Sequence, residues 1–163
     1  MYFDAKKPIR IYTHHRIKFV VDGDGVIVYN IFNKRETEIR LLGIDAPEIK
    51  DCKKLRQDER ELHVPGQLLI ELGHLSKNYL HNLLPKETGI TFITEIDNEI
   101  DPIGRTLAYL INNEGICINE KLITDGYAKP YTKYYCSKLE SYQKLNFTAM
   151  HQKQGLYSVL HNF

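Results

Sequence analysis

Ile39-Arg40-Leu41-Leu42-Gly43-Ile44-Asp45-Ala46-Pro47-Glu48 is the stretch on which the reading of this 163-residue chain turns. Its first half is an apolar strand interrupted by one arginine, and a guanidinium in such a strand needs a partner that compensates its charge. Its second half sets a carboxylate at the strand end and another three residues on. Pro47 pushes Ala46 into an extended conformation, which turns the Ala46 carbonyl outward. Arg40 and Asp45 are five residues apart, so a regular strand would point them to opposite faces. Gly43 lies between them, and a bulge or kink there is predicted to bring both to one face.

Two other segments belong with this one. Val20-Val21-Asp22-Gly23-Asp24-Gly25 carries two aspartates around a glycine, a turn that can aim both side chains into one small space. Asp101-Pro102-Ile103-Gly104-Arg105 is a turn-rich lead-in to the apolar run Thr106-Leu107-Ala108-Tyr109-Leu110-Ile111. Singly, each is ordinary. Asp-Gly-Asp is most often a solvated turn, an ion pair would satisfy Arg40, and an arginine at a strand mouth commonly caps a barrel edge. Jointly, they gather carboxylates and two planar cations on tight turns and strand ends. Carboxylates and a backbone carbonyl are the usual supply for Ca²⁺, which takes about 6–8 oxygens. A glutamate beside such an ion can orient or deprotonate a water. The arginine fork suits the oxygens of a pentavalent phosphorane. Phosphodiester hydrolysis is the chemistry this combination fits.

The spacing predicts strands at about 9–21, 25–32 and 36–45, with Asn33-Lys34 as a hairpin turn. Leu68, Leu72, Leu75, Tyr79 and Leu83 recur at helical spacing over 67–84, and Pro85 ends that helix. Strands follow near 89–96 and 105–111, then helices near 118–125 and 137–153. Three strands, a helix and two strands is the order of an OB-fold, so the expected class is α+β, mainly β: a five-stranded barrel with about three helices. Residues 49–64, with Lys50, Asp51, Lys53, Lys54, Arg56, Asp58, Glu59, Arg60 and Glu61, read as an extended surface loop. Their charge order would also allow a short helix.

The chain resembles the staphylococcal nuclease (thermonuclease) family. The likeness runs through Val20–Asp24, Ile39–Glu48 and Gly104-Arg105-Thr106-Leu107-Ala108-Tyr109, and through Ile118-Asn119-Glu120 to Asp125-Gly126-Tyr127-Ala128-Lys129. It extends from about residue 9 to Tyr157. The resemblance implies a calcium-dependent nuclease acting on DNA, RNA or both, with endo- or exonucleolytic products ending in 3′-phosphate. Asp24 and Asp45 match the family's metal-binding aspartates, with the Ala46 carbonyl as a third ligand and Asp22 close to the metal. Glu48 matches the water-activating glutamate, and Arg40 and Arg105 match the two phosphate-binding arginines. Tyr134 fits one substrate-pocket tyrosine, whereas Tyr131 falls one residue from the other. Gly25 stands where threonine is usual, which removes a hydroxyl near the metal. Pro102 and Ile103 replace an expected lysine and tyrosine.

Length fits one domain over 1–163, with a core that needs no disulfide support. Net charge is +1, so attraction to a polyanion must be local rather than global. Cys52, Cys117 and Cys136 have no metal spacing and an odd count. No run is long enough to span a membrane. The N-terminus lacks an apolar signal core, so secreted or periplasmic placement after removal of a leader and cytoplasmic placement both stay open. A monomer is expected. The competing readings are a non-catalytic OB-fold module for nucleic acid or protein, which would not need Glu48, and a calcium-binding structural domain, which would not need two arginines.

Overall fold

The computed structural model describes residues 3–163. Five strands close a barrel: β1 (Ile9–Asp22), β2 (Gly25–Asn30), β3 (Glu36–Leu41), β5 (Gly89–Glu95) and β6 (Thr106–Asn112), in the order β1-β2-β3-β6-β5 with β5 returning to β1. β1 is long enough to pair with β2 along its second half and with β5 along its first. Register shifts between Tyr12 and His15, Ile17 and Phe19, and Val20 and Asp22 bend it around the barrel. All pairings are antiparallel except β3 with β6, where Ile39, Arg40 and Leu41 face Thr106, Leu107 and Ala108 in parallel. The interior is filled by Ile17, Val26, Val28, Ile39, Phe92 and Ile93 with their neighbours, all buried. The expected OB-fold α+β class is the one observed.

The strand expected over 36–45 breaks in two. The chain leaves β3 at Leu41, turns at Leu42-Gly43, and resumes as the two-residue β4 (Ile44–Asp45), which pairs with β7 (Lys129–Pro130). Gly43 has φ +80°, a conformation open to glycine but strained for other residues, and a Cβ there would lie 2.5 Å from Cys136 Sγ. The kink predicted at Gly43 is therefore present, as a turn between two strands. Asn119, at the start of α3 (Ile118–Thr124), fastens this corner. Its amide donates to the carbonyls of Leu42 (3.0 Å) and Ala108 (3.2 Å), and its oxygen accepts from the Leu110 N–H.

Among the described residues there are four α-helices rather than about three. Residues 53–62 are not a surface loop but the helix α1 (Lys53–Leu62), followed by α2 (Gly66–Leu83) and, near the C-terminus, α4 (Leu139–His151). Cys52 caps α1, its sulfur accepting from the Leu55 N–H, and His63 ends it in a left-handed conformation. Leu55 is the one buried side chain of α1. The charged remainder has no apolar stripe, which is why hydrophobic periodicity does not reveal this helix. α1 packs on α2, and α2 packs on β1. No helix among the described residues is long and apolar enough to cross a membrane.

Candidate active site

The turn from β1 to β2 and the end of β3 meet at one rim of the barrel. The Leu41 N–H donates to the Asp24 carbonyl at 2.8 Å, which ties the acidic turn to the arginine-bearing strand. Asp22 Oδ1 accepts from the Asp24 N–H at 3.2 Å, so the first aspartate shapes the turn that presents the second.

Arg40 is the hub. Its Nη1 lies 3.0 Å from Asp24 Oδ2 and its Nη2 3.1 Å from Asp45 Oδ1, so one guanidinium bridges the two aspartates. Nη1 also donates to the Ile44 carbonyl at 2.9 Å, which the turn at Gly43 brings within reach. The Ala46 N–H donates to Asp24 Oδ2 at 2.8 Å. Asp24, Arg40 and Asp45 are thus assembled as the sequence predicts, with the Asp45-Ala46 backbone held against Asp24.

Glu48 is reached through a residue that the sequence reading placed in a loop. Lys54 Nζ, from the first turn of α1, lies 3.0 Å from Asp45 Oδ2, 3.4 Å from Glu48 Oε1 and 2.9 Å from Asp58 Oδ2. Helix α2 supports the other side of this segment. A Cβ on Gly73 would fall 2.4 Å from the Glu48 carbonyl and 2.7 Å from that of Pro47, so only glycine admits this approach.

Arg105 follows a turn closed by Asp101. Asp101 Oδ2 accepts from Arg105 Nε at 2.7 Å, and its Oδ1 accepts from the N–H groups of Ile103 (3.0 Å) and Arg105 (2.9 Å). Asp101 takes Nε alone, and the terminal Nη groups carry no protein hydrogen bond among the described residues. Arg40 pairs with Leu107 across the parallel seam, and Arg105 immediately precedes β6, two positions before Leu107. Tyr131 and Tyr134 lie edge to face, 5.5 Å between centroids. Of the two, Tyr131 reaches the centre, its ring 5.5 Å from the Arg40 guanidinium and its N–H donating to the Gly43 carbonyl at 2.9 Å.

Burial sets the electrostatics. It pushes the Asp24 carboxyl up to about 6; the Arg40 guanidinium offsets part of this, and Asp22 adds to it. Burial also raises Glu48, with Lys54 opposing and the charges of Asp24 and Asp45 reinforcing. For Arg40 and Lys54, burial alone would lower the pKa, but the carboxylates around them outweigh it and hold both above their ordinary values. Burial would raise Asp101 as well, and the hydrogen bonds from the Arg105 N–H and guanidinium bring it below the usual range. Asp22, Asp24, Asp45 and Glu48 therefore crowd negative charge that Arg40 and Lys54 compensate only in part.

Among the described residues, no three His, Cys, Asp or Glu side chains converge closely enough to hold a metal unaided. The chemistry of the donors nevertheless fits a hard cation. The side-chain donors are all carboxylate oxygens, and the upward push on Asp24 and Glu48 is the penalty that such a cation relieves.

A small barrel with a carboxylate–guanidinium centre at its rim is a class of OB-fold domain suited to phosphate chemistry. The chain belongs to the staphylococcal nuclease homologue family, whose sequence model matches residues 38–159. It is 30% identical over 161 residues to an uncharacterized protein of Methanocaldococcus jannaschii, covering 93% of this chain and 75% of that one. It is also 30% identical over 126 residues to the endonuclease YhcR of Bacillus subtilis, covering 77% of this chain but only 9% of that much longer protein.

Proposed function

We propose that this protein is a calcium-dependent nuclease that hydrolyses phosphodiester bonds of DNA, RNA or both, leaving 3′-phosphate ends. The observation that carries the reading is the Asp24–Arg40–Asp45 bridge with Glu48 joined to it through Lys54, since a binding module has no use for a part-buried carboxylate beside two paired aspartates. Asp24, Asp45 and the Ala46 carbonyl would hold the ion, with Asp22 behind Asp24. Bound there, calcium supplies Lewis-acid polarisation of the phosphate. Glu48 orients the attacking water and accepts its proton, and its raised pKa moves it toward the range in which a base works at neutral pH. Arg105 offers its terminal N–H groups to the phosphoryl oxygens while Asp101 fixes its stem. Arg40 offsets the charge developing on the phosphorane once substrate oxygens replace part of its carboxylate contacts. Tyr131, packed against Arg40, and Tyr134 offer ring faces and hydroxyls to the nucleotide.

The test is cleavage of single-stranded DNA and of RNA against calcium concentration, with Asp45→Asn beside the wild type. Calcium-dependent cleavage that falls by at least about a hundredfold in the variant is expected. Retained binding of nucleic acid without cleavage at any calcium level would replace this reading by the non-catalytic module.

A further inference from the structure

Lys54 has no place in the mechanism above, yet its ammonium touches three carboxylates, two of which belong to the site. We infer that Lys54 is an internal competitor for the cation: it sits on the carboxylate oxygens of Asp45 and Glu48 that face a divalent ion, and it withdraws onto Asp58 when the ion binds. The inference rests on the calcium reading given above and deepens it by naming the residue that sets the site's cation affinity.

The fold delivers the ammonium firmly. α1 is capped by Cys52 and pinned by buried Leu55, so Lys54, next to Leu55, is carried into the site by the first helical turn. Lys54 and Asp58 are four residues apart on one helix and bonded at 2.9 Å. That pair travels with the helix, so the contact survives whatever happens at Asp45. The lysine stem is flexible and its head is a compact point charge, which suits movement between neighbouring carboxylates better than a rigid guanidinium would.

Arg40 takes Asp45 Oδ1, which leaves Asp45 Oδ2 as the oxygen open to a further cation, and Lys54 lies on it at 3.0 Å. An ammonium and a calcium ion both seek carboxylate oxygen, and two cations on the same oxygen repel. Lys129, from β7, adds positive field on this side, since it lies close enough to Asp45, Asp58 and Lys54 for their charges to act on it. Asp58 is the remaining carboxylate in contact with Lys54 that does not belong to the catalytic set, so it alone can retain the ammonium without claiming a site oxygen.

The experiment is calorimetric titration of the intact protein with Ca²⁺ alone, without nucleic acid. Lys54→Met is compared with wild type, with Lys54→Arg, and with Lys53→Met. Lys53 is exposed, lines the same open cleft, and reports the effect of simply removing a nearby positive charge. Lys54→Met should bind calcium about 10- to 100-fold more tightly, the range set by loss of one competing charge-assisted hydrogen bond. Lys53→Met should change affinity by less than about threefold, and Lys54→Arg should remain weak. Asp58→Asn should weaken calcium binding several-fold in the wild-type background and have little effect alongside Lys54→Met. Equal affinities for wild type and Lys54→Met, or equal gains from Lys53→Met and Lys54→Met, overturn the competition and leave the calcium site standing. Absence of calcium binding in every variant overturns both.

Discussion

Replacing Asp24 by Asn should stabilise the calcium-free protein, although the residue stands at the centre of the site. Burial pushes the Asp24 carboxyl from 3.8 to about 6 in the folded chain. At about 1.4 kcal/mol per pH unit, keeping it ionised costs the fold about 3 kcal/mol. Between those two pKa values the native state binds more protons than the unfolded chain, so this group's contribution to stability falls as pH rises from about 4 to about 6. It stays fully lost above that. Asparagine preserves the shape, and its carbonyl can still accept from the Ala46 N–H, while Arg40 keeps Asp45 and the Ile44 carbonyl. Urea denaturation with calcium chelated should give nearly equal stabilities for variant and wild type at pH 4. The variant should lead by about 3 kcal/mol at pH 7.5. Calcium should raise the wild type and leave the variant nearly unmoved. A variant no more stable than wild type at pH 7.5, or a lead that is the same at both pH values, would refute the claim that Asp24 is held ionised at a cost.

Two further perturbations address the supports of the site. Asp101→Asn weakens the bond that fixes Arg105 Nε, so kcat/KM should fall about tenfold, with most of the loss in kcat, alongside about 1–2 kcal/mol of stability. Because the Asp101 pKa is lowered on folding, that stability difference should be present at neutral pH and vanish as pH drops below about 4; urea midpoints at pH 3 and pH 7 check it. Gly73→Ala places a methyl against the Pro47 and Glu48 carbonyls, and should cost about 1–3 kcal/mol by urea denaturation. It should also slow cleavage at least about tenfold by displacing Glu48, with nucleic-acid affinity little changed.

How much of this was legible in the sequence follows from the kind of signal each part leaves. The barrel strands and α2 announce themselves through apolar periodicity, and Asp22, Asp24, Arg40, Asp45 and Glu48 through glycine and proline turns that leave little choice of direction. The kink at Gly43 follows from parity alone. α1 is different: with one buried residue it has no stripe to detect, and Lys54 looks like any lysine in a solvated run. The available hint was its spacing to Asp58 together with its nearness to Glu48. Asp101 read as a turn residue because an Asx turn and an arginine clamp use the same aspartate. Tyr131 proved nearer the centre than Tyr134 because the pairing of β4 with β7 sets the register of that segment.

The parallel seam between β3 and β6 has a bearing on when the site comes into being. Residues 39–41 and 106–108 are joined only after the whole intervening chain, α1 and α2 included, has folded back, and such distant closures come late because their entropy must be met before any contact repays it. β1, β2 and β3 are neighbours in sequence, so an early meander can already gather Asp24 and Arg40. Arg105, just ahead of β6, joins the strand of Arg40 only through this long-range closure. The two guanidiniums are therefore brought to neighbouring strands only when the barrel has shut, and a half-folded chain lacks the proposed site.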